Sequence, residues 1–187
     1  MTVKLVYETH SVTLDNETGI ATGWLPGELS ARGRAEAVKL GVRRREVDVV
    51  YASDLRRAVQ TAEIAFAGTG KEIRLDRRLR ECDYGIYNGR PLSEVAALRS
   101  RHIDTPWPGG QSYRQVVAEM AGFLRDVTEE WQGRQVLVVS HSANRWALRN
   151  LLDGTSLEEL VDALSSGGRG GSTTWCEGEG AGGTPSP

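Results

Sequence analysis

Apolar positions along the chain fall into short unbroken runs separated by longer stretches of helical spacing, and the two kinds alternate. Val3, Leu5, Val6 and Tyr7 read as a buried strand that turns polar within one step at Glu8, Thr9, His10 and Ser11, where a strand leaving a core would ordinarily end in Gly, Asn or Pro. Ser30 then stands as a helix N-cap, followed by Ala35, Val38 and Leu40 at helical spacing and a stop near Gly41. The continuous run from Val47 stops at Ser53 and feeds directly into a helix with Leu55, Ala58, Val59, Ala62 and Phe66 on one face. Ile73 and Leu75 alternate as a short strand. A long amphipathic helix follows the Pro-Gly-Gly at 108–110, and the strand Val136 to Val139 ends in Ser140, His141 and Ser142 before another helix.

Strands alternating with helices predict an α/β fold, a three-layer α/β/α sandwich with a mainly parallel central sheet, in one domain over residues 1–164. In such sheets ligands bind beyond the carboxyl ends of the strands, where His10, Ser53 and His141 all fall. The chain of 187 residues is long enough for one well-buried core. Residues 165–187 change character: eight of the 22 glycines fall in this stretch, which offers little to bury and is expected to be disordered. One GC-rich codon choice for residues 163–175, read in another frame, gives an aromatic-rich ending, so a frameshift origin for this tail is a second expectation. Its Gly-Gly-Arg-Gly-Gly-Ser-Thr superficially resembles a phosphate loop but lacks the lysine and a preceding strand.

A formal net charge of -2 gives no overall basic field for nucleic acid or an anionic membrane, so any affinity for phosphate has to be local. No apolar run approaches a membrane span, and a cytoplasmic location is expected. Cys82 and Cys176 lie far apart without metal-ligand spacing, so neither a disulfide framework nor a zinc site is indicated. What the strand ends do offer is His10, His141, the pair Arg56 and Arg57, and Glu81. Two imidazoles, a guanidinium and a carboxyl gathered at one point are what phosphoryl transfer through a histidine requires: a neutral nucleophile, cations for the nonbridging oxygens, and an acid for the leaving oxygen. Glu8 is the odd member, since a carboxylate in a central strand is costly unless paired. It binds an arginine, helps position substrate, or lies at a solvated rim.

From residue 3 to about 160 the chain resembles the histidine phosphatase superfamily, which includes the cofactor-dependent phosphoglycerate mutases. The Ser-x-Leu-x-Arg-Ala-x-x-Thr-Ala element stands intact as Ser53, Leu55, Arg57, Ala58, Thr61 and Ala62, and its register selects Arg57 over Arg56 as phosphate clamp. The Leu-x-Glu segment implies Glu81 as proton donor. Pro-Gly-Gly-Gln-Ser resembles a segment whose serine, here Ser112, helps line the site, and the strand before His141 implies a second histidine that stabilises the transferring group. The opening motif departs from the family's Arg-His-Gly. A gapless alignment keeps His10 as nucleophile, Asn16, Gly23 and Trp24 in register, but puts Thr9 on the arginine and Ser11 on the glycine. Thr9 would then give phosphate one neutral hydrogen bond in place of a bidentate charged pair, with Arg145, four residues past His141, as a replacement. The resemblance thus implies a phosphatase acting on a small phosphomonoester without cofactor or metal. A mutase and a phosphate-binding pseudoenzyme are the alternatives, and a homodimer is left open.

Overall fold

The computed structural model describes residues 2–162 and the backbone of a further strand at 173–176. In chain order the elements are β1 (Lys4–Thr9), α1 (Leu14–Glu17), β2 (Ile20–Ala21), α2 (Ala31–Arg43), β3 (Val49–Ala52), α3 (Arg56–Ala65), β4 (Ile73–Leu75), β5 (Arg90–Pro91), α4 (Leu92–Leu98), α5 (Tyr113–Glu130), β6 (Gln135–Ser140), α6 (Ser142–Asp153), α7 (Leu157–Asp162) and β7 (Thr173–Cys176). The central sheet runs β4-β3-β6-β1-β7, with the first four strands parallel and β7 antiparallel to β1.

The strands read as unbroken apolar runs because both faces are covered. On one face Leu5, Tyr7, Val49, Tyr51, Val136 and Val138 join the core built by α5 and α6. On the other, Val6, Val50, Ala52, Leu137 and Val139 meet Leu40 of α2 and Ala58 and Ala62 of α3. The alternation of successive strand residues between the two cores produces the three layers.

Ser30 caps α2 as expected, its hydroxyl accepting from the Gly33 amide, but the inward face differs from the one the spacing suggested. Ala35 and Val38 are exposed, while Gly33, Ala37, Leu40 and Gly41 are buried. Close approach decides this: a Cβ at Gly33 would sit 1.9 Å from the Val12 carbonyl oxygen, and one at Gly41 1.8 Å from that of Ala65. The helix seats its small residues and Leu40 against its neighbours, and Val38 and Val42 are left outside.

The short helices α1, α4 and α7 went unread, and so did two sets of strands. The short pair β2 and β5 forms a separate antiparallel ribbon beside α4, and strands of two residues carry no periodicity to detect. The stretch expected to be without order contains β7, whose backbone pairs Thr173 with Tyr7 and Cys176 with Lys4. Averaging composition over the glycine-rich stretch hid a four-residue segment, Thr-Thr-Trp-Cys, of β-prone residues beside an open sheet edge. The rest of the expected tail, and with it the frameshift reading, lies outside the described residues. Among the described residues, no helix is long and apolar enough to cross a membrane.

Candidate active site

The register of β1 and β6 builds the centre of the site. Thr9 pairs with Ser140 as the last rung, and the His10 amide donates to the Ser140 carbonyl at 2.9 Å. The next residue on each strand is a histidine, so the two imidazoles lie side by side with centroids 5.1 Å apart and planes tilted by 54°.

His10 is held in one tautomer. Its Nδ1 lies 2.8 Å from the Ser11 carbonyl, which can only accept, so Nδ1 carries the hydrogen and Nε2 keeps its lone pair. Arg57 Nε donates to that Nε2 at 3.2 Å. Burial, followed by the Arg57 charge, pushes the His10 pKa down to about 3, against a smaller opposing effect of the Ser11 carbonyl. At neutral pH the ring is therefore uncharged. Ser11 in turn is anchored by Thr61, whose hydroxyl accepts from the Ser11 amide at 3.0 Å and donates to the Arg57 carbonyl at 2.7 Å. The Thr of the Ser-x-Leu-x-Arg-Ala-x-x-Thr-Ala element thus ties the loop after His10 to the helix bearing Arg57.

Arg57 is almost wholly buried, with Nη2 donating to the Gly23 carbonyl at 2.8 Å and Nη1 to that of Leu25 at 3.4 Å. Gly23 has φ +54°, and a Cβ there would collide with the Asn88 amide oxygen at 1.8 Å, so only glycine presents this carbonyl. Beside it, Trp24 donates from Nε1 to the Glu81 backbone carbonyl and carries the Arg80 guanidinium over its ring at 4.7 Å.

Glu81 is buried and its Oε1 accepts from two backbone amides, Cys82 at 2.9 Å and Ala143 at 3.1 Å. Ala143 belongs to the first turn of α6, so the carboxyl sits at that helix's positive end. The arginines near Glu81 find other carboxylates: Arg78 pairs with Asp76 and Asp126, and Arg80 with Asp54. His141 is fully buried, and among the described residues neither ring nitrogen has a hydrogen-bond partner. Burial, then the charges of Arg57 and His10, hold its pKa well below the usual histidine value.

His10, Arg57 and Glu81 line one cleft of about 740 Å³, together with Asn16, Tyr84 and Ser142. Asn16 reaches it from α1, where it also closes a capping box with Thr13. Four of the residues anticipated to touch the phosphoryl group are not among those lining the cleft: His141, whose ring is buried beside that of His10, and Thr9, Ser112 and Arg145. Thr9 is half-buried at the strand end. Ser112 is buried as the N-cap of α5, its hydroxyl accepting from the Gln115 amide and its own amide donating to the Gln115 side chain. That capping role is what Ser followed three residues later by Gln encodes. Arg145 lies one turn into α6, half-buried, with its charge acting on the buried Tyr7 phenol. Glu8 faces away from the cleft chemistry and binds arginine: its Oε1 lies 2.8 Å from Arg44 Nη2, with Arg43 at 3.7 Å, both from the end of α2.

Residues 9–177 match the histidine phosphatase superfamily (branch 1). The chain belongs to that superfamily. This histidine phosphatase is 33% identical to phosphoserine phosphatase 1 of Hydrogenobacter thermophilus over 169 residues, covering 84% of this chain and 80% of that protein. It is 28% identical to the 2,3-bisphosphoglycerate-dependent phosphoglycerate mutase of Bifidobacterium longum over 200 residues, with coverages of 86% and 81%. Among solved structures it is similar to a mycobacterial glucosyl-3-phosphoglycerate phosphatase in complex with VO3, at a TM-score of 0.74 and 29% identity, covering 84% of this chain and 85% of that one. The match extends past residue 160, where the resemblance read from motifs ended, and takes in β7.

The histidine phosphatase cleft also has a wall that sequence reading did not supply: Ile20 to Gly23 from the β2 segment, Tyr84, and Ser93, Ala96 and Arg99 from α4 and the turn after it. The one available signal was the spacing of the last three, which recur every three residues and so share a helix face.

Proposed function

We propose that the protein is a phosphomonoester hydrolase working through a phosphohistidine, with every step performed by its own side chains. The observation that carries this reading is the state of His10, whose Nδ1 hydrogen is committed to the Ser11 carbonyl while Nε2 stays unprotonated in the cleft beside Arg57. In the first step the Nε2 lone pair attacks phosphorus, the bond from phosphorus to the leaving oxygen breaks, and the Glu81 carboxylic acid gives that oxygen its proton. In the second, Glu81 takes a proton from water, the water oxygen attacks phosphorus, and the electrons of the broken P–N bond return to Nε2. Arg57 and His141 hold the nonbridging oxygens through both steps. His141, a buried imidazole without a hydrogen-bond partner among the described residues, is suited to receive such an oxygen.

The position of Thr9 favours a second reading, that of a phosphate-binding protein with little turnover. Lacking an arginine at a transition-state contact lowers rates by about 10²-fold, by analogy with deleted oxyanion donors. Acid-labile phosphate trapping on wild type and His10→Ala separates the two. Hydrolysis predicts labelling and phosphate release in the wild type alone. Absence of His10-dependent label and of His10-dependent turnover over a phosphomonoester panel would sink the catalytic reading. With phosphoglycerate and labelled bisphosphoglycerate, equilibration of isomers in place of free phosphate would identify a mutase.

A further inference from the structure

Helix α6 begins without a side-chain cap, since His141 is its N-cap residue and the imidazole makes no capping bond. The first amides of a helix have no intrahelical partner, and an uncapped turn frays unless something else fixes it. Yet this turn carries much of the proposed chemistry. The His141 ring centroid stands 5.1 Å from that of His10, Ser142 lines the cleft, and the Ala143 amide donates to Glu81 Oε1 at 3.1 Å. The pairing of β1 with β6 ends at Ser140, one residue too early to hold the turn.

What does hold it is a phenol. Tyr7 Oη donates to the His141 carbonyl, which also accepts the first helical bond of α6 from the Arg145 amide at 3.2 Å. Tyr7 is fully buried in β1, three residues before His10. Burial, above every neighbouring group, raises its pKa, so the hydrogen stays on the phenol and remains available to donate. In a trans peptide the N–H points opposite to the C=O. With the His141 carbonyl drawn into the core by Tyr7, the Ser142 amide faces the other way, to the cleft that Ser142 lines. We propose that Tyr7 is a positioning residue for phosphoryl transfer: its phenol fixes the peptide after His141, which keeps that imidazole beside His10 and turns the Ser142 amide towards a bound phosphoryl oxygen. This assignment rests on the hydrolase reading of the same cleft. Tyr51 supplies an internal comparison. Both tyrosines flank Val138 in register and face the same core, but Tyr51 bonds to Glu130, Arg74 and Trp131, none of which lines the cleft.

The test compares Tyr7→Phe with Tyr51→Phe, each of which removes one buried hydroxyl and keeps the ring. With p-nitrophenyl phosphate, Tyr7→Phe should lower kcat by about 10- to 100-fold with KM within about threefold, the pattern of a misplaced transition-state contact. Tyr51→Phe should leave both constants within about threefold, although both variants melt at a lower temperature than the wild type. Equal losses of kcat in the two variants, or a Tyr7→Phe kcat within about threefold of wild type, would overturn the positioning role and leave Tyr7 a packing residue. A second readout does not depend on turnover: in isotope-labelled protein titrated with inorganic phosphate, the Ser142 amide resonance should shift in the wild type and in Tyr51→Phe, and by less than about half as much in Tyr7→Phe. That pattern without wild-type turnover would reject the hydrolase and keep the positioning of the turn. A Ser142 resonance that ignores phosphate in the wild type, or shifts equally in Tyr7→Phe, would reject the positioning whatever the turnover.

Discussion

At the end of β1, His10 gives one nitrogen to the Ser11 carbonyl and turns the other towards Arg57. One rung across, at the end of β6, His141 is buried and has neither nitrogen bonded among the described residues. Both histidines follow an apolar strand, both are followed by serine, and the ladder places them at the same height. Their surroundings nevertheless differ in the way the two proposed roles require. A nucleophile needs a fixed tautomer with an unprotonated nitrogen at the cleft, which the half-buried His10 has, its Nε2 lone pair being held by Arg57 Nε until a phosphoryl group takes that place. A group that steadies the transferring phosphoryl needs an unsatisfied donor inside a dry site, which His141 can supply.

The largest effect that could break this division is on covalent chemistry. His10→Ala should lower kcat by about 10⁴-fold or more and abolish acid-labile labelling, because no second nucleophile is aligned. His141→Asn should cost about 10²-fold, yet still yield labelled protein on quenching after longer incubation. If His141→Asn also abolished the label, or His10→Ala kept it, the roles assigned here would have to be exchanged. Thr9→Arg tests the neighbour of the nucleophile: restoring a guanidinium should raise kcat/KM by about tenfold if the strand end lacks phosphate contacts. An unchanged rate would show that Arg57 and His141 suffice.

A fourth outcome concerns stability. Both imidazoles have folded pKa values below the unfolded histidine value, so below about pH 6.5 the unfolded chain binds protons that the native chain refuses. Stability should accordingly fall as the pH drops from about 6.5 towards the depressed native values, by up to about 1.4 kcal/mol per pH unit for each histidine. The fully buried His141 should carry the larger share, and His141→Asn should flatten the dependence of the urea midpoint between pH 7 and 5. A variant as steep as the wild type would place the acid sensitivity elsewhere. The smallest effect on activity is expected at Glu8, whose carboxylate is a structural partner of Arg44. Glu8→Gln should destabilise the fold by about 1–3 kcal/mol while changing kcat/KM by less than about threefold, measured by denaturant melts and steady-state assay.

The base of the site was legible because parallel-sheet strands are continuous apolar runs and their last residues point to one edge. His10, Arg57, Glu81 and His141 all follow from that rule and from the register of one motif. Ser112 misled because a serine before a long helix reads equally as a ligand and as a cap, and the Gln115 amide decides in favour of the cap. Arg145 was placed by counting residues along a helix, which fixes its height but not its company. Glu8 was open between three readings, and the choice depended on where α2 ends, a tertiary fact. The wall was illegible for a related reason. It is made of a two-residue ribbon, Tyr84 and three residues of a short helix and the turn after it, where the three-residue recurrence of Ser93, Ala96 and Arg99 is too short a signal to read.

β7 has a consequence for handling the protein. The strand that delivers His10 is flanked by β6 on one side and by β7 on the other, so the four residues Thr173–Cys176 are what keep β1 from being a sheet border. A chain shortened before Thr173 would present the backbone donors and acceptors of Lys4–Tyr7, flanked by Val3, Leu5 and Val6, to any neighbour in solution. Such a product would be prone to self-association through the strand that bears its nucleophile, and soluble yield would fall before intrinsic chemistry did.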